Sequence, residues 1–187
     1  MGKLEWKPGS LLAPVPAVLV TVRSKEGQDN VLTIAWAGTV CSSPSMVSIS
    51  VRPERWSYPI LKETGEFVIN LVTKDLIFAA DYCGVRSGKN EDKFAACGLH
   101  KEAAGTVSAP LIKESPLSLE CKVEQVIPLG SHDLFIARVT QVDVDESFVD
   151  ENGRLKLEEA ELVSYIHGEY YAQGGRVGTF GYSVRKK

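Results

Sequence analysis

Runs of β-branched and alternating residues occupy most of the first half of the chain. Clusters of Gly, Pro, Asn or Ser separate these runs, as is typical of strands joined by turns. The polar segment KEGQDN lies between the first two runs and predicts a hairpin turn. The pattern predicts strands at residues 17–22, 31–36, 46–52 and 66–72.

Two longer runs follow in the second half, at residues 117–129 and 133–145. The middle of the first alternates between apolar and charged positions, so one face is expected to be buried. Only a short Gly-Ser-His turn separates the two runs. They are therefore predicted to form a long antiparallel hairpin.

Helical patterns are few and short. The segment SYPILKETG predicts a helix that stops at Gly65, because glycine readily takes the left-handed conformation that ends a helix. Two more helices are predicted at KDLIFAADYCG and NEDKFAACG, the second capped by Asn90. Near the C-terminus, GGRVGTFG predicts a glycine-rich turn that leads into an aromatic packing segment.

This arrangement of elements predicts a mainly β protein built on a closed or sandwiched antiparallel sheet. Strands and helices do not alternate, which argues against a doubly wound parallel sheet. The 187 residues suit one domain, 1–187, long enough to bury a core.

Composition and charge narrow the function classes. The formal net charge is -3 and the sequence pI is about 5.7, so a general nucleic-acid surface is not expected. No apolar run approaches the roughly 20 residues that cross a membrane, and the N-terminus lacks the apolar core of a signal peptide. The expected location is the cytoplasm, with no membrane partner.

The side chains that could bind metal are scattered. The four cysteines contain no C-x-x-C pair and no histidine lies at zinc-finger spacing from them, so no metal site is expected. The cysteines are predicted to be free and mainly buried thiols. Among the histidines, His132 is a catalytic candidate because a tight turn lets its side chain project.

A polar, irregular stretch coincides with the second predicted strand. Asn30, Thr33 and Trp36 recur three residues apart, which does not match one face of a strand and predicts a bend with free main-chain groups. Arg52 and Arg55 come soon after, and guanidinium groups suit phosphate or a polar ring edge.

The segment RSGKNEDKF begins like a phosphate-binding loop of nucleoside triphosphatases. Its spacing excludes that motif, because three residues rather than four separate Gly84 from Gly88 and Asn90 follows Lys89. Lys93, one turn into the predicted helix, could still reach an anion. The alternative is an ordinary solvated turn.

Five blocks carry a resemblance to a known family: NVLTIAW through VSISVRPERWSY, GEFVINL, SGKNEDKF, PLGSHDLFIARV and YIHGEYYAQGGRVGTFGYS. In this order they resemble the flavin reductase-like family of FMN-binding split-barrel proteins, and most closely its flavoredoxin subgroup. The resemblance covers nearly the whole chain. It implies a six-stranded antiparallel Greek-key split β-barrel with a few short helices, a homodimer, and FMN bound near the dimer interface.

The resemblance also implies a flavin site. Residues 30–36 would line the isoalloxazine ring, residues 50–52 with Arg55 and Ser57 would hold the ribityl chain and phosphate, and Lys93 would reach the flavin or its phosphate. The positions that match the family's flavin site are Asn30, Val31, Leu32, Thr33, Ala35, Trp36, Cys41, Ser50, Val51, Arg52, Arg55, Ser57, Lys93, His132 and Tyr165.

Three functions remain open from the sequence. The first is an enzyme in which NADH or NADPH passes hydride to FMN. The second is a flavoredoxin-type electron carrier that keeps its FMN and exchanges electrons with a redox protein partner. The third is a binding module without turnover, or an oxidase of a related split-barrel class.

Overall fold

A computed structural model describes residues 2–184 of the chain. The described residues contain twelve strands: β1 (Val15–Pro16), β2 (Val18–Arg23), β3 (Asp29–Ile34), β4 (Ala37–Ser42), β5 (Ser45–Val51), β6 (Glu66–Leu71), β7 (Lys101–Glu102), β8 (Leu111–Ile112), β9 (Leu117–Pro128), β10 (Asp133–Val144), β11 (Val163–Ile166) and β12 (Glu169–Ala172). The helices are α1 (Ser57–Thr64), α2 (Ile77–Val85) and α3 (Lys93–Cys97), with 3₁₀ turns at Lys74–Leu76, Glu146–Phe148, Leu157–Glu159 and Tyr182–Val184.

Seven strands form one antiparallel sheet in the order β3-β2-β6-β9-β10-β5-β4. The strands at its two edges, β3 and β4, are separated in the chain only by Ala35 and Trp36. Residues 29–42 therefore act as one bent strand that pairs with β2 at its start and with β5 at its end. The bend connects the two edges of the sheet, and Ser50 N donates to Trp36 O across it at 2.9 Å.

This topology confirms the predicted mainly β split barrel with few short helices. The strand count differs by one, seven instead of six, because the bend divides a single barrel strand into β3 and β4. The bend lies where the irregular spacing of Asn30, Thr33 and Trp36 predicted one.

The predicted strand limits agree with β2, β3, β5, β6, β9 and β10 to within two residues. The strand β4 was not predicted, because each of its positions is exposed or partly exposed and AGTVCS has no apolar alternation. The acidic segment after β10 forms short 3₁₀ turns, and the left-handed Gly153 follows Asn152 in a turn.

The sheet packs on both faces, and β2 shows how. Val18, Val20 and Val22 point into the barrel interior, with Phe67 and Phe135 fully buried there. The intervening residues point outward against the helices, because successive side chains of a strand alternate between faces. This outer core comprises Ala17, Leu19, Val31, Val72, Leu76, Ala79, Ala80, Cys83, Phe94, Leu99, Ile112 and Val163.

The helix ends show one confirmed and one wrong prediction. Helix α1 ends at Gly65, whose φ of 66° is left-handed, as predicted. Helix α3 is capped by Asp92, whose Oδ1 accepts from Phe94 N and Ala95 N, and not by Asn90. Asn90 belongs instead to the preceding turn, where its N–H donates to Ser87 O, so Lys93 is the first residue of the helix.

The C-terminal segment does not pack as the sequence predicted. Residues 173–179 have no regular structure, and Val177 and Phe180 are fully exposed. The predicted aromatic packing segment was therefore wrong for the described residues, because none of them covers these side chains. The preceding strands β11 and β12 form a small sheet with β1.

The remaining features concern membranes, metals and thiols. In the part of the chain that the structure describes, no helix is long and apolar enough to span a bilayer. The same residues include no cluster of three His, Cys, Asp or Glu side chains arranged for a metal. All four cysteines are free thiols, and Cys83 and Cys121 are buried while Cys41 and Cys97 are partly exposed.

Candidate functional site

A cleft follows the split between β3 and β5 and continues toward the loop between α2 and α3. It consists of three adjoining cavities, and Arg55 lines all of them. We name them the strand-edge cavity (about 220 Å³), the charged cavity (about 90 Å³) and the side cavity (about 250 Å³).

The strand-edge cavity lies against unpaired backbone. Among the described strands, β3 pairs only with β2, so main-chain groups on its other edge remain free to contact a ligand. Thr33 Oγ1 donates to Ala80 O and fastens this strand to α2. The cavity is lined by Leu32, Thr33, Ile34, Ala35, Trp36, Ser50, Val51, Arg52, Arg55, His132 and Tyr165.

Two rings define the outer rim of this cavity. The Trp36 indole, 46% exposed, lies 4.6 Å from the His132 ring at an interplanar angle of 47°. The hairpin that carries His132 is tied to α1, because Tyr58 Oη donates to Asp133 Oδ2 at 2.6 Å. Burial lowers the pKa of His132, and the positive charges of Arg52 and Arg55 lower it further. The imidazole is therefore predominantly neutral at pH 7.

The charged cavity contains a buried cation. Lys93 is 3% exposed, and its Nζ donates to Cys83 O at 3.2 Å and to Arg86 O at 3.3 Å. Among the described residues, no carboxylate lies within the 4.0 Å of an ion pair with Lys93, as the ten ion pairs found there involve other residues. Burial lowers the pKa of Lys93, which is the expected effect on an ammonium removed from water.

Further polar groups line the same charged cavity. Trp56 Nε1 is buried and has no hydrogen-bond partner among the described residues. Asn30 Nδ2 donates to Ser57 Oγ at 2.7 Å, and Ser57 is the first residue of α1, where the positive end of the helix dipole favours anions. The full lining is Asn30, Leu32, Glu54, Arg55, Trp56, Ser57, Cys83, Val85, Arg86, Ser87, Gly88 and Lys93.

Gly88, in the SGKN turn, is required for steric reasons. A Cβ at Gly88 would lie 2.1 Å from Asn30 Oδ1 and 2.6 Å from its Cγ. Only glycine lets the loop lie this close to Asn30. The turn therefore closes the charged cavity through its backbone, while the side chain of Lys89 is exposed and outside the lining.

Arg55 connects the three cavities. Its Nη1 donates to Gly84 O at 2.9 Å, so the guanidinium bridges from the end of β5 to the end of α2. Tyr165 enters the cleft from β11 and meets Tyr170 edge to face at 5.4 Å. The side cavity is lined by Ala17, Thr33, Ala35, Arg55, Asp81, Gly84, Val85, Tyr165, Gly168 and Tyr170.

The structure brings most of the predicted site residues to this cleft. Arg52 lines the strand-edge cavity, whereas Ser57 and Lys93 line the charged cavity. The residues that were expected to hold the ribityl chain and phosphate therefore lie at two different ends of the cleft. Val31 is fully buried in the outer core, so its side chain does not reach the cleft. Cys41 lies on β4 and lines none of the three cavities.

Sequence reasoning missed Trp56, Arg86 and Gly88, and it included Ile34 only within the range 30–36. Gly88 and Arg86 belong to the RSGKN turn, where the sequence was tested only for phosphate-loop spacing and Lys93 was the residue selected. Trp56 immediately precedes α1, and its sequence position indicates only a side chain that packs against the helix. Only its unpaired ring nitrogen marks it as a polar group of the cleft, and that is invisible without coordinates.

Comparison with known proteins agrees with this fold. The flavin reductase-like domain family model matches residues 11–173. The structure is similar to flavoredoxin of Desulfovibrio vulgaris (Miyazaki F), with a TM-score of 0.91 and 31% identity over 98% of this chain and 100% of that one. It also resembles nitrilotriacetate monooxygenase component B from Bacillus cereus, with a TM-score of 0.85 and 25% identity over 96% and 100%.

A curated relative bears an enzyme name. The NADH-dependent FMN reductase AsuE2 of Streptomyces nodosus subsp. asukaensis is 26% identical over 149 residues, which cover 78% of this chain and 77% of the relative. The family model covers most of the chain, and the cleft coincides with the segments that carried the resemblance. The chain belongs to the flavin reductase-like family.

Proposed function

We propose that the cleft binds FMN and that the protein is an oxidoreductase that reduces this flavin with NADH or NADPH. One observation carries the proposal: the Lys93 ammonium is buried in the charged cavity without an acidic partner. A buried charge is costly unless it is paired, so this cavity favours an anionic ligand.

The groups around Lys93 fit a terminal phosphate. Arg55 and Arg86 add two guanidinium groups to the lining, and Trp56 adds an unpaired N–H. Guanidinium and ammonium groups make charge-assisted hydrogen bonds to phosphate oxygens. Among the described residues Lys93 has no carboxylate within ion-pair distance, and a phosphate in the charged cavity would supply that partner.

The strand-edge cavity suits the ring system. Bound FMN would supply two-electron redox chemistry at this end, with a reduced nicotinamide as donor. The free backbone edge of β3 would orient the ring through hydrogen bonds, and Arg55 would separate ring from phosphate. Neutral His132 can donate or accept a proton at the ring edge, depending on its tautomer.

The rim leaves room for the electron donor. Trp36 is nearly half exposed and the cavity opens to the surface beside it, so a second planar molecule can approach. The chain needs no separate dinucleotide fold for this, because a stacked donor is held mainly by the ring that it reduces. The open rim gives no reason to prefer NADH over NADPH as the electron donor.

A flavoredoxin-type carrier is the second candidate. The buried position of Lys93 favours it, because a phosphate held by a desolvated ammonium leaves slowly. In that case the flavin remains bound and electrons pass to a protein partner. The similarity to a flavoredoxin at 31% identity supports the same candidate.

Anaerobic reduction distinguishes the two. The purified protein is examined for flavin absorbance, and released cofactor is identified as FMN or FAD. NADH or NADPH is then added without oxygen, with excess free FMN present. Rapid bleaching with many turnovers of free FMN supports the reductase, bleaching of one bound equivalent only supports the carrier, and recovery of FAD alone would contradict the assignment of FMN.

We further propose that the protein forms a homodimer with FMN near its interface. Apolar side chains at both ends of the chain are exposed in one protomer, and such patches mark association surfaces. Light scattering at micromolar concentration should give twice the chain mass, and a monomeric mass would contradict the proposal. The exposed side chains are Leu4, Trp6, Leu11, Leu12, Val177, Phe180, Tyr182 and Val184.

A further inference from the structure

Two thiols meet behind the charged cavity. Cys83 lies on α2 and Cys97 is the last residue of α3, and their Sγ atoms are 3.9 Å apart. A disulfide needs an S–S distance of about 2.05 Å, so the two sulfurs have less than about 2 Å to close. The end of α3 can supply this movement, since the helix has only five residues and stops at the left-handed Gly98.

One of the two thiols is accessible. Cys97 is partly exposed and lines a separate cavity of about 510 Å³, whereas Cys83 is 1% exposed. The cavity carries more carboxylates than cations, so a neutral oxidant enters it more readily than an anionic one. Its ionisable lining residues are Lys74, Asp75, Glu114, Asp145, Glu159 and Glu161.

We propose that Cys83 and Cys97 form an intramolecular disulfide when a hydroperoxide, such as hydrogen peroxide, reaches Cys97. Cys97 Sγ attacks one peroxide oxygen, the O–O bond breaks, and the leaving hydroxide takes a proton to become water. The resulting sulfenic acid is attacked by Cys83 Sγ, which forms the S–S bond and releases a second water. Two thiols thus lose two electrons and two protons, and the peroxide gains them.

The environments of the thiols set this order. Burial raises the pKa of Cys83 to about 12, so this thiol is not the initial nucleophile. Burial also raises the pKa of Cys97, but the hydrogen bond to Cys83 and the charge of Lys93 oppose that rise. Cys97 therefore reacts first and Cys83 resolves the intermediate.

The disulfide would act on the charged cavity. It encloses residues 84–96, which include Arg86, Gly88 and Lys93 of the cavity lining. Cross-linking these residues restricts the unfolded chain and fixes α3, and with it Lys93. The consequence for FMN rests on the proposed function, whereas the formation of the disulfide does not.

The test uses the full-length protein, reduced and then treated with one equivalent of hydrogen peroxide. Tryptic mapping should find the peptide of residues 75–86 linked to that of residues 94–101, with a loss of two hydrogens and two of four free thiols. The melting temperature should rise by about 5–10 °C in the oxidised form. FMN affinity should differ at least threefold between the two forms.

Matched variants make the result decisive. Cys97→Ser and Cys83→Ala should each abolish the linked peptide and the temperature shift, while Cys41→Ser should retain both. Four unreacted thiols, Cys97 oxidised to a sulfinic acid without the link, or equal linkage to Cys41 or Cys121 would overturn the proposal. If neither form binds FMN, the proposed function fails while the peptide map still decides the disulfide.

Discussion

The two ends of the cleft differ in size and in how far their side chains are exposed to solvent. The charged cavity is small and enclosed, with a lysine that is 3% exposed and held by two carbonyls. The strand-edge cavity opens beside a tryptophan that is 46% exposed, and it lies against the unpaired edge of β3. The difference indicates a division of labour, in which the enclosed end anchors a ligand and the open end leaves it accessible to a reactant.

The same contrast appears in how each end uses charge. At the enclosed end, desolvation strengthens the contacts of the buried Lys93 ammonium, because little water reaches it to screen them or compete for them. At the open end, Arg52 is over half exposed and already faces Glu54 at 3.7 Å, so water screens its contribution. Variants that alter one end at a time therefore test the division.

The largest effect is expected from Lys93→Met, which removes the anchoring charge and keeps most of the side-chain volume. A hydrogen bond to a charged group contributes roughly 1.5–3 kcal/mol, so FMN affinity should fall about tenfold to a hundredfold. Titration of the apo-protein by flavin fluorescence measures this. The matched control is Lys89→Met in the same loop, which should leave the affinity unchanged, and equal effects of the two variants would refute the anchor.

Gly88→Ala should be next in size. The added Cβ would lie 2.1 Å from Asn30 Oδ1, so the loop or Asn30 must move away from the charged cavity. We expect a loss of about 1–3 kcal/mol in the free energy of unfolding, as for other overpacked sites. Chemical denaturation checks this against Gly38→Ala, where nothing lies within 4 Å of the new Cβ. Equal stabilities of the two variants would show that the loop does not depend on this approach.

Arg52→Gln probes the open end with a matched loss of one charge. Exposed charges contribute about 0.2–1 kcal/mol, so FMN affinity should fall by less than about fivefold. The same fluorescence titration applies. A loss of affinity as large as that of Lys93→Met would mean that the phosphate lies at the strand-edge end. The strand-edge cavity, and not the charged cavity, would then anchor the ligand.

The smallest effect concerns the titration of His132. Its pKa is lowered in the folded protein, so the neutral ring is favoured and its stabilising contribution is present above the unfolded value of about 6.5. That contribution is lost as the pH falls from 6.5 toward the folded pKa. A proton NMR titration, assigned with His132→Gln, should give a midpoint below 6.5. A midpoint at or above that value would show that burial and the charges of Arg52 and Arg55 do not lower the pKa of this ring.

Much of the barrel was predictable from the sequence, because its strands are β-branched or alternating runs bounded by turn residues. The hairpin at Leu117–Pro128 and Asp133–Val144 is the clearest case, with limits within one residue of the prediction. The strand Ala37–Ser42 was not predictable in this way. It lies at an exposed edge, so no burial imposes a hydrophobic pattern on it.

The candidate site was predictable in outline through the family resemblance, but its physical character was not. The sequence left Lys93 either as a ligand of an anion or as part of a solvated turn, whereas the structure buries it between two carbonyls. Burial of this kind depends on how the loop folds back over Asn30, which the local sequence does not encode. Cys41 lies on β4, a few residues after the bend, and does not line the cleft.

The binding of riboflavin compared with FMN tests the central claim most directly, since the two ligands differ only in the terminal phosphate. If the charged cavity anchors that phosphate, calorimetry should show FMN binding about a hundredfold more tightly or better, as several charge-assisted hydrogen bonds are lost with riboflavin. Lys93→Met should reduce this preference while its riboflavin affinity stays unchanged. Equal affinities of the wild-type protein for FMN and riboflavin would contradict the account.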